Sequence, residues 1–207
     1  MKTETENCIE YSNRSITPKC FDSATKEYKL RYCTATENLI LPYHTRIYGG
    51  RYSNLFVGTL GQEPPETQRF DVKLEAAGAD CIRIGPYGRM KFNGEPVAMN
   101  KIDRCICEGT IYECTLTNFK RLYVLEGAIV HLTDCVIVGD IMIKRGTVIV
   151  HDTNTVSFQR TIDLRPGGII KFNEIQETPH LDVITSREKR TYREPIDGGR
   201  EYTVIIG

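Results

Sequence analysis

The 207-residue chain has no tryptophan, no net charge and no apolar run of the length that a membrane-spanning helix needs. Lys+Arg and Asp+Glu are both 27. General binding to polyanions such as nucleic acid is therefore not expected, because it needs an excess of positive charge, but a local basic stripe is not excluded. The segment Met1–Glu6 is polar and lacks the apolar stretch of a secretory signal. We expect a protein of the cytoplasm or of a virus particle, without membrane attachment.

Sequence motifs of the common enzyme classes are also missing. The chain contains no GxSxG, GxxxxGK[ST], GxGxxG or HExxH, which lowers the expectation of a hydrolase, an NTPase, a dehydrogenase or a metalloprotease. No window shows the apolar periodicity of an amphipathic helix. We therefore expect an all-β protein without a cofactor or a metal, and favour a function other than catalysis.

The eight cysteines do not form a recognisable metal or disulfide pattern. No CxxC occurs, and the spacing fits no common zinc module. Without a secretory signal, most thiols are expected to be reduced and several to pack in the core as small apolar side chains.

The main positive signal is a repeat that begins at Gly109. Glycine recurs there in steps of 18, 19 and 21 residues, at Gly109, Gly127, Gly146 and Gly167. Three aliphatic columns accompany it. The column two residues after each glycine is Ile111, Ile129, Val148 and Ile169. The column three residues before each glycine is Ile106, Val124, Ile143 and Leu164. The column five residues before each glycine is Arg104, Leu122, Ile141 and Ile162. The charged first member of the last column suggests that the regular stack ends there.

A fixed period with several apolar columns is typical of repeat proteins, in which stacked units share one core. Short β-branched segments between polar turns indicate coils of strands. The pattern resembles the right-handed parallel β-helix proteins of the pectate-lyase-like class, and this resemblance implies a fold but no catalytic residue. We predict a short right-handed parallel β-helix with about 18–21 residues per coil, an N-terminal cap and a C-terminal β-hairpin. An antiparallel β-sandwich is the alternative.

The chain divides into four predicted regions. Residues 1–38 form a polar arm or cap, and residues 39–100 a β-rich region that contains the first coils or a separate cap. Residues 101–176 form the regular stack, and residues 177–207 a charged linker followed by the hairpin. The apolar tail Val204–Ile206 should be buried in this chain or against a partner, which makes self-association through the tail one expectation.

Two histidines occupy matching positions in successive coils. His131 and His151 follow their glycines by four and five residues, and Glu113 takes the same place one coil earlier. With Asp134 and Asp152 nearby, these residues are candidates for an acid/base site. The simpler interpretation is a solvated ladder on the outer surface of the coils.

A second candidate site is a cationic stripe along one edge of the stack, which would bind a glycan or another ligand with anionic groups. Its residues are Lys120, Arg121, Lys144, Arg145, Arg160 and Arg165. The simpler interpretation is a set of charged turns that keep the stack soluble.

Two classes of function follow from these patterns. The first is a non-catalytic structural, assembly or recognition protein, viral or phage in one version, that presents a β-helical surface to a protein partner. The alternative is an enzyme that acts on a glycan or a phosphate-bearing ligand along one face of the coils.

Overall fold

A computed structural model describes residues 1–5, 7–21, 27–42, 44–58, 70–152, 155–173, 183–185, 190–196 and 200–207. Twenty strands and one 3₁₀ turn, Pro18–Cys20, are seen in these residues. The strands are β1 (Lys2–Glu4), β2 (Cys8–Ser12), β3 (Glu27–Arg31), β4 (Thr34–Leu41), β5 (Thr45–Tyr48), β6 (Arg51–Val57), β7 (Phe70–Glu75), β8 (Gly78–Ile84), β9 (Gly88–Asn93), β10 (Asn100–Cys107), β11 (Thr110–Val124), β12 (Ile129–Leu132), β13 (Asp134–Ile143), β14 (Thr147–Val150), β15 (Ser157–Phe158), β16 (Ile162–Leu164), β17 (Ile169–Asn173), β18 (Val183–Thr185), β19 (Arg190–Ile196) and β20 (Arg200–Ile206). No helix among the described residues has the length and apolar character needed to cross a membrane.

The strands form a parallel β-helix of about 8 turns, which confirms the predicted fold and excludes the antiparallel sandwich. One parallel ladder, here called face 1, joins β2, β3, β5, β7, β9, the first part of β11, β12, β14 and β17. A second series joins β4, β6, β8, β10, the rest of β11 and β13. The ladder of face 1 already includes β2 and β3, inside the segment 1–38 that was expected to be an arm or a cap.

The second series of strands bends and so covers two faces. The pairing of β4 with β6 shifts between Ala35 and Asn38, and β13 pairs with two separate strands, β15 and β16. We call the part before the bend face 2 and the part after it face 3. Each coil therefore passes through three faces, and the inward side chains of all three fill one apolar core.

Antiparallel strands cover both ends of the stack. β1 pairs with β2 at the N-terminal end, and β20 pairs with β17 at the C-terminal end. β19 and β20 form the predicted C-terminal hairpin, whose turn, 197–199, lies outside the described residues. Val204 is fully buried within this chain. Covered ends matter because an open β-edge can pair with other chains.

The apolar columns inferred from the glycines are wrong by one residue in two coils. Ile111, Val130, Val148 and Ile170 are register partners on face 1. Val130 is fully buried, whereas Ile129 is 42% exposed. The reason is that the glycines serve two purposes: Gly127 and Gly167 take positive φ in turns, whereas a Cβ on Gly146 would overlap the preceding coil.

The two remaining columns also continue further than the sequence suggested. Cys105 is the register partner of Leu122, and Cys107 is the partner of Val124. Both cysteines are fully buried, whereas Arg104 is exposed. The predicted columns were therefore shifted by one residue in this coil, and the stack does not end there. All eight cysteines are free thiols, and five of them are buried.

Candidate functional site

The outer surface of face 1 brings the two predicted histidines together. His131 lies in β12 and His151 directly follows β14, one coil later. Their Nδ1 and Nε2 atoms are 2.8 Å apart. The ring centroids are 5.0 Å apart and the ring planes are within 9° of parallel. With nitrogens so much closer than the centroids, the rings meet edge to edge through an N–H···N hydrogen bond.

This hydrogen bond sets the protonation state of the pair. One imidazole must donate and the other must accept, so the contact is lost when both rings are protonated. Burial and then the neighbouring His151 lower the pKa of His131, and burial lowers the pKa of His151. Both rings therefore favour the neutral form. Because the folded-state values are lowered, the pair contributes stability above the ordinary pKa of histidine, and that contribution is lost as the pH falls below it.

The three predicted carboxylates lie in different surroundings. Glu113 lies opposite Lys91 in the register, and Lys91 Nζ is 2.6 Å from Glu113 Oε2. A register shift between Ile111 and Glu113 moves Glu113 out of the expected ladder. Asp134 begins β13, where its register partner is Thr115, and Asp152 follows His151 as a half-buried residue. The described residues contain no group of three or more metal-ligating side chains.

The six predicted cations do not form one stripe. Arg121 lies opposite Asp140 at the start of face 3, whereas Lys144 and Arg145 lie at the turn after β13. Four of the six cations form ion pairs, with nitrogen–oxygen distances of 3.2 to 4.0 Å in three of them and 2.8 Å in the fourth: Lys120 with Asp103, Arg145 with Glu126, Arg160 with Asp140, and Arg165 with Asp163. Exposed pairs of this kind are typical of a soluble mixed-charge surface.

A depression of about 280 Å³ lies at the turn between face 3 and face 1. Glu108, Glu126, Lys144 and Arg145 line it together with Pro86 and Leu125. Its charges are mixed, it is open to solvent, and neither histidine lines it. The depression and the histidine pair are thus separate features.

Sequence reasoning missed a column of four cations on face 1. Lys29 is the register partner of Arg46, Arg46 of Lys73, and Lys73 of Lys91. A signal for this column exists, because a single cation between two inward residues recurs in Tyr28–Leu30, Thr45–Ile47, Val72–Leu74 and Met90–Phe92. The variable connections between these strands hide the repeat.

The electrostatics of this column are uneven. Arg46 Nε is 2.7 Å from Glu27 Oε1, and Lys91 is paired with Glu113. Lys29 and Lys73 are half-buried and form no ion pair within the part of the chain that the structure describes. Like charges directly opposite each other on adjacent strands are destabilising. Four cations in successive coils, about 4.8 Å apart, are therefore an arrangement that anionic groups would stabilise.

Comparisons with known proteins give no relative: no family model matches the chain, and no curated protein or solved structure matches it either. The function is therefore inferred from the geometry of the faces.

Proposed function

We propose that this protein is a non-catalytic recognition protein that binds a linear polyanionic glycan along face 1. The observation that supports the proposal is the in-register column Lys29, Arg46, Lys73 and Lys91. A rigid ladder of cations suits a chain whose sulfate or carboxylate groups recur along its length. Ordering the ligand then requires little rearrangement of the protein.

Acidic neighbours limit the strength of this binding. Asp71 and Glu75 lie two residues from Lys73 on the same strand, so their side chains point to the same side of face 1. They lower the local positive potential and disfavour ligands with very dense charge. We expect moderate affinity that weakens at high salt, since exposed charges about 10 Å apart are largely screened at 0.1 M ionic strength.

The proposal predicts that wild-type protein binds a sulfated oligosaccharide but not its desulfated counterpart in calorimetry at low salt. The double substitution Lys29→Gln/Lys73→Gln should weaken binding about tenfold or more, because two charge-assisted contacts of about 1 kcal/mol or more are lost. The matched control is Lys101→Gln/Arg121→Gln, which removes the same charge from exposed positions on other faces. This control should bind like the wild type.

Two results would contradict the proposal. One is the absence of measurable binding by the wild type. The other is an equal loss of affinity in both double variants, which would show attraction to overall charge instead of a site on face 1. Stronger binding to a single-stranded nucleic acid than to the sulfated glycan would overturn the choice of ligand.

Catalysis stays a prediction with narrower support. Its one specific observation is the contact between His131 and His151, which supplies a neutral imidazole pair that can accept a proton. The viral, structural and cytoplasmic assignments made from the sequence likewise stay predictions.

A further inference from the structure

Face 3 carries an outward column that is mainly apolar. Its register partners on seven successive strands are Ile40, Phe56, Arg83, Ile106, Tyr123, Met142 and Asp163. Ile40 is 47% exposed, and the other apolar members are half-buried. The stretch Ile106, Tyr123 and Met142 is therefore bounded by a cation, Arg83, on one side and by an anion, Asp163, on the other.

Charged residues flank this stretch on both sides. Two residues before the apolar column, the series is Arg104, Arg121 and Asp140; two residues after it, the series is Glu108, Leu125 and Lys144. In each series, the residue one coil before Tyr123 has the opposite charge to the residue one coil after it. In the central column, the residues two coils before and two coils after Tyr123, Arg83 and Asp163, also have opposite charges.

This pattern of signs is self-complementary. We propose that face 3 binds a second copy of this chain, with the two stacks antiparallel and a two-fold axis along the strand direction at Tyr123. The rotation places Arg104 opposite Asp140 of the second copy and Glu108 opposite Lys144 of the second copy. It also brings Ile106 against Met142 of the second copy, so the second copy covers the apolar stretch. The charged residues then surround this stretch, as they do in protein interfaces generally.

Other symmetric arrangements of face 3 are electrostatically worse. A two-fold axis parallel to the stack places Arg83 against Arg83 and Asp163 against Asp163. An antiparallel arrangement centred one coil earlier, at Ile106, places Arg104 on Arg104 and Glu108 on Glu108. Like charges brought together in an interface are strongly unfavourable. The axis at Tyr123 pairs opposite charges in all three columns and leaves one like-charge contact, between Arg121 and Arg121 of the second copy at the axis, whereas each of the other two arrangements has two.

Ion pairs already present in the chain are compatible with this arrangement. Arg83 Nη2 is 3.2 Å from Glu108 Oε1, and Arg165 Nη2 is 2.8 Å from Asp163 Oδ2. Across the two-fold axis these pairs would join into networks. The part of face 3 from Arg83 to Asp163 is about 20 Å long and about 15 Å wide from strand geometry. This is smaller than the roughly 800 Å² per partner of a standard interface, so we expect a dimer of micromolar affinity.

The test is the mass in solution under reducing conditions, measured by sedimentation and light scattering up to several hundred micromolar. The wild type should approach twice the chain mass of 23.6 kDa. Arg104→Asp and Asp140→Arg should each stay near the monomer mass, because each places two like-charge contacts in the interface. An equimolar mixture of the two variants should return to the dimer mass, since both contacts in the mixed dimer are again between opposite charges.

The rescue distinguishes a lost interface from a damaged fold. Arg104 and Asp140 are exposed and two coils apart, about 10 Å, so neither variant restores the other within one chain. Lys101→Asp, on face 2, is the control and should dimerise like the wild type. A wild type that stays monomeric, single variants that dimerise normally, or a mixture that stays monomeric would each overturn the proposal. None of these results depends on glycan binding by face 1.

Discussion

Replacing Ile143 by aspartate is expected to unfold the protein or to remove most of its stability. Ile143 is fully buried and lies in the inward column of face 3 between Val124 and Leu164. A carboxylate there has no partner, and burial of an unpaired charge costs several kcal/mol. That cost is comparable with the total stability of about 5–15 kcal/mol that is typical of a domain.

Urea unfolding followed by circular dichroism measures this loss. Ile143→Val is the matched control and should cost only about 1 kcal/mol, because it removes one methylene from the same place. Cooperative unfolding of Ile143→Asp within about 1 kcal/mol of the wild type would show that this strand does not face the core.

Removal of the last strand segment, Tyr202–Gly207, is expected to make the protein aggregate. This segment pairs with both β17 and β19 and contains the buried Val204. Its loss leaves the backbone groups of β17 unpaired and uncovers the C-terminal end of the stack. An unpaired edge of this kind is a template for pairing with further chains.

Light scattering should show large species for the truncated protein at concentrations where the wild type has no more than the dimer mass. The double substitution Arg193→Ser/Glu201→Ser tests the hairpin without removing its strand. It breaks an exposed ion pair of 3.3 Å, which is worth about 1 kcal/mol or less, and should leave the mass unchanged. A soluble truncated protein with the wild-type mass and melting temperature would contradict the capping role of β20.

The sequence predicted the architecture because its central coils are regular. From Gly109 onward the coil length varies little, so the apolar columns are visible without a structure. The earlier coils are irregular, and the step from the end of β6 at Val57 to the start of β7 at Phe70 is long. A period that changes from one coil to the next cannot be read from a single sequence, so the first coils stayed hidden.

The exact register was not predictable for a different physical reason. A glycine favours both a turn with positive φ and close packing against another backbone, and its position alone does not say which. Gly127 takes the first role and Gly146 the second, which shifts the neighbouring column by one residue. In a strand, a shift by one residue moves each side chain to the other side of the sheet.

The candidate sites depend on this register. The sequence predicted corresponding positions for His131 and His151 in successive coils, but not the hydrogen bond between their rings. The acidic partners of Arg145 and Arg165 were not predicted, although Glu126 lies one coil before Arg145 and Asp163 lies two residues before Arg165. The charge pattern of face 3 becomes visible only after Cys105 and Cys107, instead of Arg104 and Ile106, are placed in the core.

The register is also the central claim, since the cation column of face 1 and the symmetry of face 3 both follow from it. The most direct test compares the free energies of unfolding of Val130→Asp and Ile129→Asp. Val130 is fully buried and Ile129 is 42% exposed, so Val130→Asp should lose several kcal/mol and Ile129→Asp about 1 kcal/mol or less. An equal loss, or a greater loss for Ile129→Asp, would contradict the register of face 1 at β12.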